Sequence, residues 1–177
     1  MKEKIVEPKV CKTGKKSTAG FLSAARRGDV NQLRQLLDDG ANIERKNNRG
    51  LTALYLATRG GHLECVKFLL DRGADVNVRT KEGSFAIAFS SRFGHDSMLK
   101  LLLDHGADVE MRGDRDMTSL MHASRRSKLT CVEILLERGA DVTLVDLDGK
   151  TALDYCTSDE IEKMLTDAAN KVNYVLK

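Results

Sequence analysis

The stretch Leu69-Leu70-Asp71-Arg72-Gly73-Ala74 has three near copies in the chain: Leu36-Leu37-Asp38-Asp39-Gly40-Ala41, Leu102-Leu103-Asp104-His105-Gly106-Ala107 and Leu135-Leu136-Glu137-Arg138-Gly139-Ala140. Each begins 33 residues after the one before it. A fixed period of this size means one supersecondary unit stacked on copies of itself, because so short a unit cannot bury its apolar face alone. The period decides the architecture. It also narrows function, since a stack of this kind works by presenting a surface.

The flanking residues give the rest of the unit. Leu63, Val66, Leu69 and Leu70 recur at helical spacing, as do Met98, Leu99, Leu102 and Leu103, so a helix with one apolar face ends at each Leu-Leu pair. Gly73, Gly106 and Gly139 follow where a left-handed C-cap stops a helix. Thr52 and Thr118 stand further upstream at N-cap positions, ahead of good helix formers. Asp75-Val76-Asn77 and its equivalents leave as an extended arm towards the next turn. Each unit is therefore predicted as two antiparallel helices and a protruding β-type loop.

Gly50-Leu51-Thr52-Ala53-Leu54-Tyr55-Leu56-Ala57, then Gly61-His62, Cys65-Val66, Leu69-Leu70 and Gly73-Ala74-Asp75-Val76-Asn77, resembles the ankyrin repeat. Gly83-Ser84-Phe85-Ala86-Ile87 with Gly94-His95, Thr118-Ser119-Leu120 with Ala123, and Gly149-Lys150-Thr151-Ala152-Leu153 carry the same pattern. The resemblance covers residues 18–169. It implies an all-α ankyrin-repeat solenoid of about five helix-turn-helix units with β-hairpin-type loops. The expected organisation is an N-terminal cap over 18–46, repeats over 47–79, 80–112 and 113–145, and a C-terminal cap over 146–169. In that cap the unit begins normally and then shortens, with Ser158 as N-cap of an early second helix. A basic, disordered tail over 1–17 precedes the repeats, and an extension over 170–177 follows.

Several positions depart from the pattern. Ala53, Ala86, Ser119 and Ala152 replace its proline, and Tyr55, Ala88, Met121 and Asp154 replace its first histidine. Phe85 replaces the capping threonine, and Phe85-Ile87-Phe89 alternates like a strand; a helix imposed by the neighbouring units, but locally weak, is expected there. Asp116 takes the place of a turn glycine, which Asp tolerates at some cost in strain. Ser127-Lys128 replaces Gly-His.

The 177 residues carry a net charge of +3, but residues 1–17 hold six lysines against Glu3 and Glu7, so the repeat body is close to neutral. No apolar run is long enough to span a bilayer, and four cysteines without a secretory signal point to a reducing compartment, cytosol or nucleus. Cys65 and Cys131 share one repeat slot and are read as small core hydrophobes, as is Cys156; Cys11, in the tail, is the thiol open to reaction. His62 and His95 match the family's structural Gly-His and are expected to cap, while His105 lies in an exposed loop. No nucleophile–base pair, metal constellation or phosphate loop is present, so neither an enzyme nor a cofactor is expected.

The resemblance places a partner at the hairpin tips and on the concave ends of the first helices. Arginine recurs there as Arg26, Arg59, Arg92 and Arg125, and a second basic column is Lys46, Arg79 and Arg112; both are expected on one broad side. The candidate partner-binding residues are Arg27, Arg49, Arg59, Lys81, Arg92, Phe93, Arg115, Met117 and Arg126, with Phe93 and Met117 as apolar anchors. One account of these basic residues is plain solvation of the surface. The other is a positive groove that docks an acidic protein or peptide, making the chain a non-enzymatic adaptor, scaffold or inhibitor. An alternative is a phosphate-rich ligand or RNA held by the same arginines and the lysine tail, against which the scarcity of aromatics weighs. A third is a place in a larger assembly through Tyr174–Leu176. A monomer is the expected state.

Overall fold

The computed structural model describes the backbone of residues 14–175 and the side chains of residues 20–171. Among these residues there are nine α-helices and no strand: α1 Gly14–Arg27, α2 Val30–Asp38, α3 Ala53–Arg59, α4 Leu63–Asp71, α5 Ala86–Phe93, α6 Asp96–Asp104, α7 Ser119–Arg125, α8 Leu129–Glu137 and α9 Asp159–Val175. α1, α3, α5 and α7 pack side by side in one row, and α2, α4, α6, α8 and α9 form a second. The helical prediction and the stacked arrangement are therefore met.

The period supplies the core. Leu33, Val66, Leu99, Val132 and Leu165 hold one slot between the rows, and none is more than 1% exposed. Burying each such side chain contributes about 1.5–3 kcal/mol, and the stack repeats the contribution at every step. Cys65 and Cys131 fill the adjoining slot, buried as expected, and burial pushes both thiols above their ordinary range. Helices α2, α4, α6 and α8 then each end on a left-handed glycine. After α2, for example, Gly40 (φ 87) donates to Leu37 O and Ala41 donates to Leu36 O, satisfying two terminal carbonyls.

The caps follow the sequence in part. Thr52 Oγ1 accepts from Tyr55 N at 3.2 Å and Thr118 Oγ1 from Met121 N at 3.3 Å. Phe85 caps nothing with its side chain, yet α5 forms. His62 makes no side-chain bond to its own helix; its Nε2 bonds Arg26 O at 3.0 Å, so the ring caps a carbonyl in the last turn of α1. His95 makes no capping bond and stacks near Phe89 and Phe93.

The ends differ from the sequence expectation. Helix α1 starts at Gly14, inside the segment assigned to the tail; residues 1–13, and Cys11 with them, lie outside the described residues. After the last hairpin, residues 152–155 make only a turn, not a first helix. Thr151 Oγ1 and N both donate to Asp154 Oδ2 at 2.7 Å, which closes that turn, and the acids of α9 start a helix a few residues later. Helix α9 runs on to Val175, because Val172 stands where Gly73, Gly106 and Gly139 stop the others. The side chains of Tyr174–Leu176, expected to be an interface if the chain is part of a larger assembly, lie outside the described residues.

Candidate functional site

Between the first-helix row and the hairpins runs a groove with two clefts. The first, of about 630 Å³, is lined by Ser23, Arg26, Arg49, Leu56 and Arg59 among others. The second, of about 330 Å³, is lined by Arg92, Asp114, Arg115, His122, Arg125 and Arg126 with Phe85 and Met117 beneath.

The hairpin wall is built by side chains that fold the turn onto itself. Asn47 Oδ1 accepts from Arg49 N at 2.9 Å and Leu51 N at 3.0 Å; Thr80 Oγ1 accepts from Ser84 N at 3.1 Å; Asp146 Oδ1 accepts from Asp148 N at 2.9 Å and Lys150 N at 3.0 Å. Neighbouring hairpins are tied by Lys81 N to Arg49 O and by Leu147 N to Arg115 O. The third hairpin has Gly113 in the place of Asn47, Thr80 and Asp146, and so has no such side chain. It forms a tight 3₁₀ turn over Asp114–Asp116 with Arg115 and Asp116 at φ 55 and 58. Asp116 thus does occupy the left-handed conformation expected of it.

Charge along this wall is neutralised within the chain. Arg49 Nη2 lies 2.6 Å from Glu82, and Arg115 is bonded to Asp148, which raises the arginine's pKa further through that hydrogen bond. The outer ends of the second helices are paired as well: Arg72 with Asp38, His105 with Asp71 and Arg138 with Asp104. The helix wall is different. Arg26, Arg59, Arg92 and Arg125 are exposed, and among the described residues none has a carboxylate within ion-pair distance, nor has Arg126.

Three residues before each of these arginines lies the floor. Ser23, Leu56, Phe89, His122 and Tyr155 share one register position, and the arginines cover it in places. Arg92 sits over the Phe93 ring at 5.6 Å, and Arg125 over Tyr155 at 5.8 Å. Tyr155 OH donates to Asp146. His122 is the half-buried imidazole of the floor: desolvation first, then the charges of Arg92, Arg125 and Arg126 against that of Asp114, push its pKa down to about 4.

Of the predicted residues, Arg49, Arg59, Arg92, Arg115, Met117 and Arg126 line the two clefts. Met117 cannot be an anchor for a partner, because it is 3% exposed and its side chain belongs to the core under the hairpin. Phe93, 49% exposed, stands beside the second cleft with its ring centroid 4.4 Å from that of Phe89. Arg27 lines neither cleft and bonds Ser23 and Gln32; Lys81 is an exposed tip residue outside both. The second basic column lines neither cleft, and Arg112 Nη1 is spent on Val145 O at 2.7 Å. The sequence reading passed over the floor, although its residues keep the same 33-residue step counted three positions ahead of the arginines.

No described group of His, Cys, Asp and Glu is arranged to hold a metal ion, and no described helix is long and apolar enough to cross a membrane. The fold defines a helical repeat solenoid with two clefts between its first-helix row and its hairpins. The family model for ankyrin repeats, three copies long, matches residues 4–80, 21–113 and 86–174, and the chain belongs to that family. Ankyrin repeats are in general non-enzymatic modules of protein–protein interaction. No curated protein matches the chain closely enough to count as a relative.

Proposed function

We propose that this chain docks an acidic partner protein in its concave groove, as an adaptor, scaffold or inhibitor. One observation carries the reading: the hairpin arginines are neutralised by Glu82 and Asp148, whereas Arg26, Arg59, Arg92, Arg125 and Arg126 have no such partner among the described residues. Side-by-side guanidinium groups repel each other, and carboxylates from outside the chain relieve that repulsion in a geometry that arginine forks suit. Substituting Arg59, Arg92 and Arg126 by Glu reverses the wall without touching the core. Affinity purification from a nuclease-treated lysate should recover protein partners with the intact chain and lose them with this variant. Partners retained by the variant would remove the groove from the account. A catch that disappears on nuclease treatment would favour the polyanion reading instead.

A further inference from the structure

The unpaired charge of the groove is spaced by the helices that carry it. Arg26, Arg59, Arg92 and Arg125 sit at the ends of α1, α3, α5 and α7, which pack side by side. Helices packed in this way have axes about 8–10 Å apart, so the four guanidinium groups form a row with roughly that step. Three residues of polyproline II chain advance by about 9 Å, and of β-chain by about 10 Å. The polyproline II helix also returns every third side chain to the same side. We infer that the groove takes an extended acidic segment with Asp or Glu at every third residue, successive carboxylates resting on Arg26, Arg59, Arg92 and Arg125. This deepens the docking of an acidic partner and rests on it.

An extended chain is the ligand whose side-chain step matches the row of arginines along the groove. The two walls also fix which way the acids face. The hairpin wall has Arg49 and Arg115 already held by Glu82 and Asp148, so a second row of carboxylates would find repulsion there as well as attraction. The residues between the acids lie instead along the floor, over Leu56, Phe89, His122 and Tyr155, where proline or a small apolar side chain fits better than a charge. Phe93, half exposed beside Arg92, offers the ring on which one such residue packs.

The test is a set of fluorescein-labelled peptides with four glutamates each, titrated with the full chain and read by anisotropy. One peptide has four Glu-Pro-Ala triplets; its isomers carry the four glutamates as a block or at every second position, and one further peptide, with alanine in place of proline, carries them at helical spacing. The triplet peptide should bind roughly tenfold tighter than any other. Arg59→Gln and Arg92→Gln should each weaken it several-fold while leaving the others nearly unchanged. Circular dichroism of both variants should match the parent, since both arginines are exposed. Attraction to the lysine-rich N-terminus is indifferent to spacing, so the isomers control for it. Equal affinity for all spacings overturns the register and leaves acidic docking intact, as does preference for the helical peptide. No binding of any acidic peptide removes both.

Discussion

His122 occupies a register position held elsewhere by Ser23, Leu56, Phe89 and Tyr155, so an ionisable ring sits in a slot otherwise filled by neutral side chains. It faces Arg92 from α5, Arg125 and Arg126 from its own helix, and Asp114 from the third hairpin; desolvation leads and the three arginines add to it. Its pKa is pushed down to about 4, against an ordinary value near 6.5. The sign follows from linkage. Between pH 6.5 and 4 the unfolded chain binds a proton that the folded chain refuses, so stability falls as pH falls through that window and is fully present above it. The loss is on the order of 3 kcal/mol. His122→Phe, which copies the neighbouring Phe89, removes the group. Urea midpoints of the two proteins should diverge between pH 7 and pH 4.5, the parent losing more; a constant gap across that range would refute the assignment. Nothing in the sequence alone gave His122 this role. Arg125 and Arg126 follow it by three and four residues, but Arg92 and Asp114 come from another helix and a hairpin, and only the fold brings them to the ring.

At the level of single elements the third unit shows how a departure in one place is absorbed in another. Phe85 stands where Thr52 and Thr118 cap their helices, and it is 1% exposed. A Cβ at Gly113 would lie 3.0 Å from the Phe85 ring and 3.1 Å from Gly83 O. The ring therefore takes up space that the hairpin yields by having glycine at 113, where Asn47, Thr80 and Asp146 hold the other turns together. The lost hydrogen bonds explain why that hairpin alone, among the four, tightens into a 3₁₀ turn. Phe85→Thr restores a cap worth about 1 kcal/mol but opens a cavity costing about 3–5 kcal/mol, so the net effect is destabilising by roughly 2–4 kcal/mol. Gly113→Asn alone overpacks the same site at about 1–3 kcal/mol. The double variant should cost at least about 1 kcal/mol less than the sum, because each change supplies what the other lacks; additive costs in a thermal or urea double-mutant cycle would break the link. The sequence did mark Phe85 as odd and predicted a helix there regardless. It could not show that Gly113 makes room for the Phe85 ring 28 residues before it, nor Met117 turned under the hairpin, because a tip position in the pattern says nothing about which way a particular side chain points.

On the scale of the whole molecule the stack is a sum of units and of the interfaces between them, and those interfaces are not equal. The slot held by Ala25, Thr58, Ser91 and Ser124 is fully buried throughout. Thr58 satisfies its hydroxyl on Leu54 O at 2.9 Å, but Ser91 and Ser124, and Ser119 at the start of α7, have no hydrogen-bond partner. All three lie on α5 and α7, the pair that joins the third unit to the fourth. The hairpins there also lack the backbone tie that joins Arg49 to Lys81 and Arg115 to Leu147. A buried hydroxyl without a partner costs about 1–3 kcal/mol, so α5 and α7 give up stability that the Thr58 hydrogen bond saves in α3. The period, legible at once in the repeated Leu-Leu and Gly-Ala, gave every junction the same form; the loss comes from single atoms that the period does not constrain. Replacing Ser91, Ser119 and Ser124 together by Ala removes the penalties with little change of shape. Native-state hydrogen exchange should then show α7, α8 and α9 gaining protection of about 1–3 kcal/mol for each hydroxyl removed, with α3 and α4 changing much less. An equal gain along the whole chain would mean that the solenoid opens as one body, and a gain confined to the N-terminal units would place the loss elsewhere.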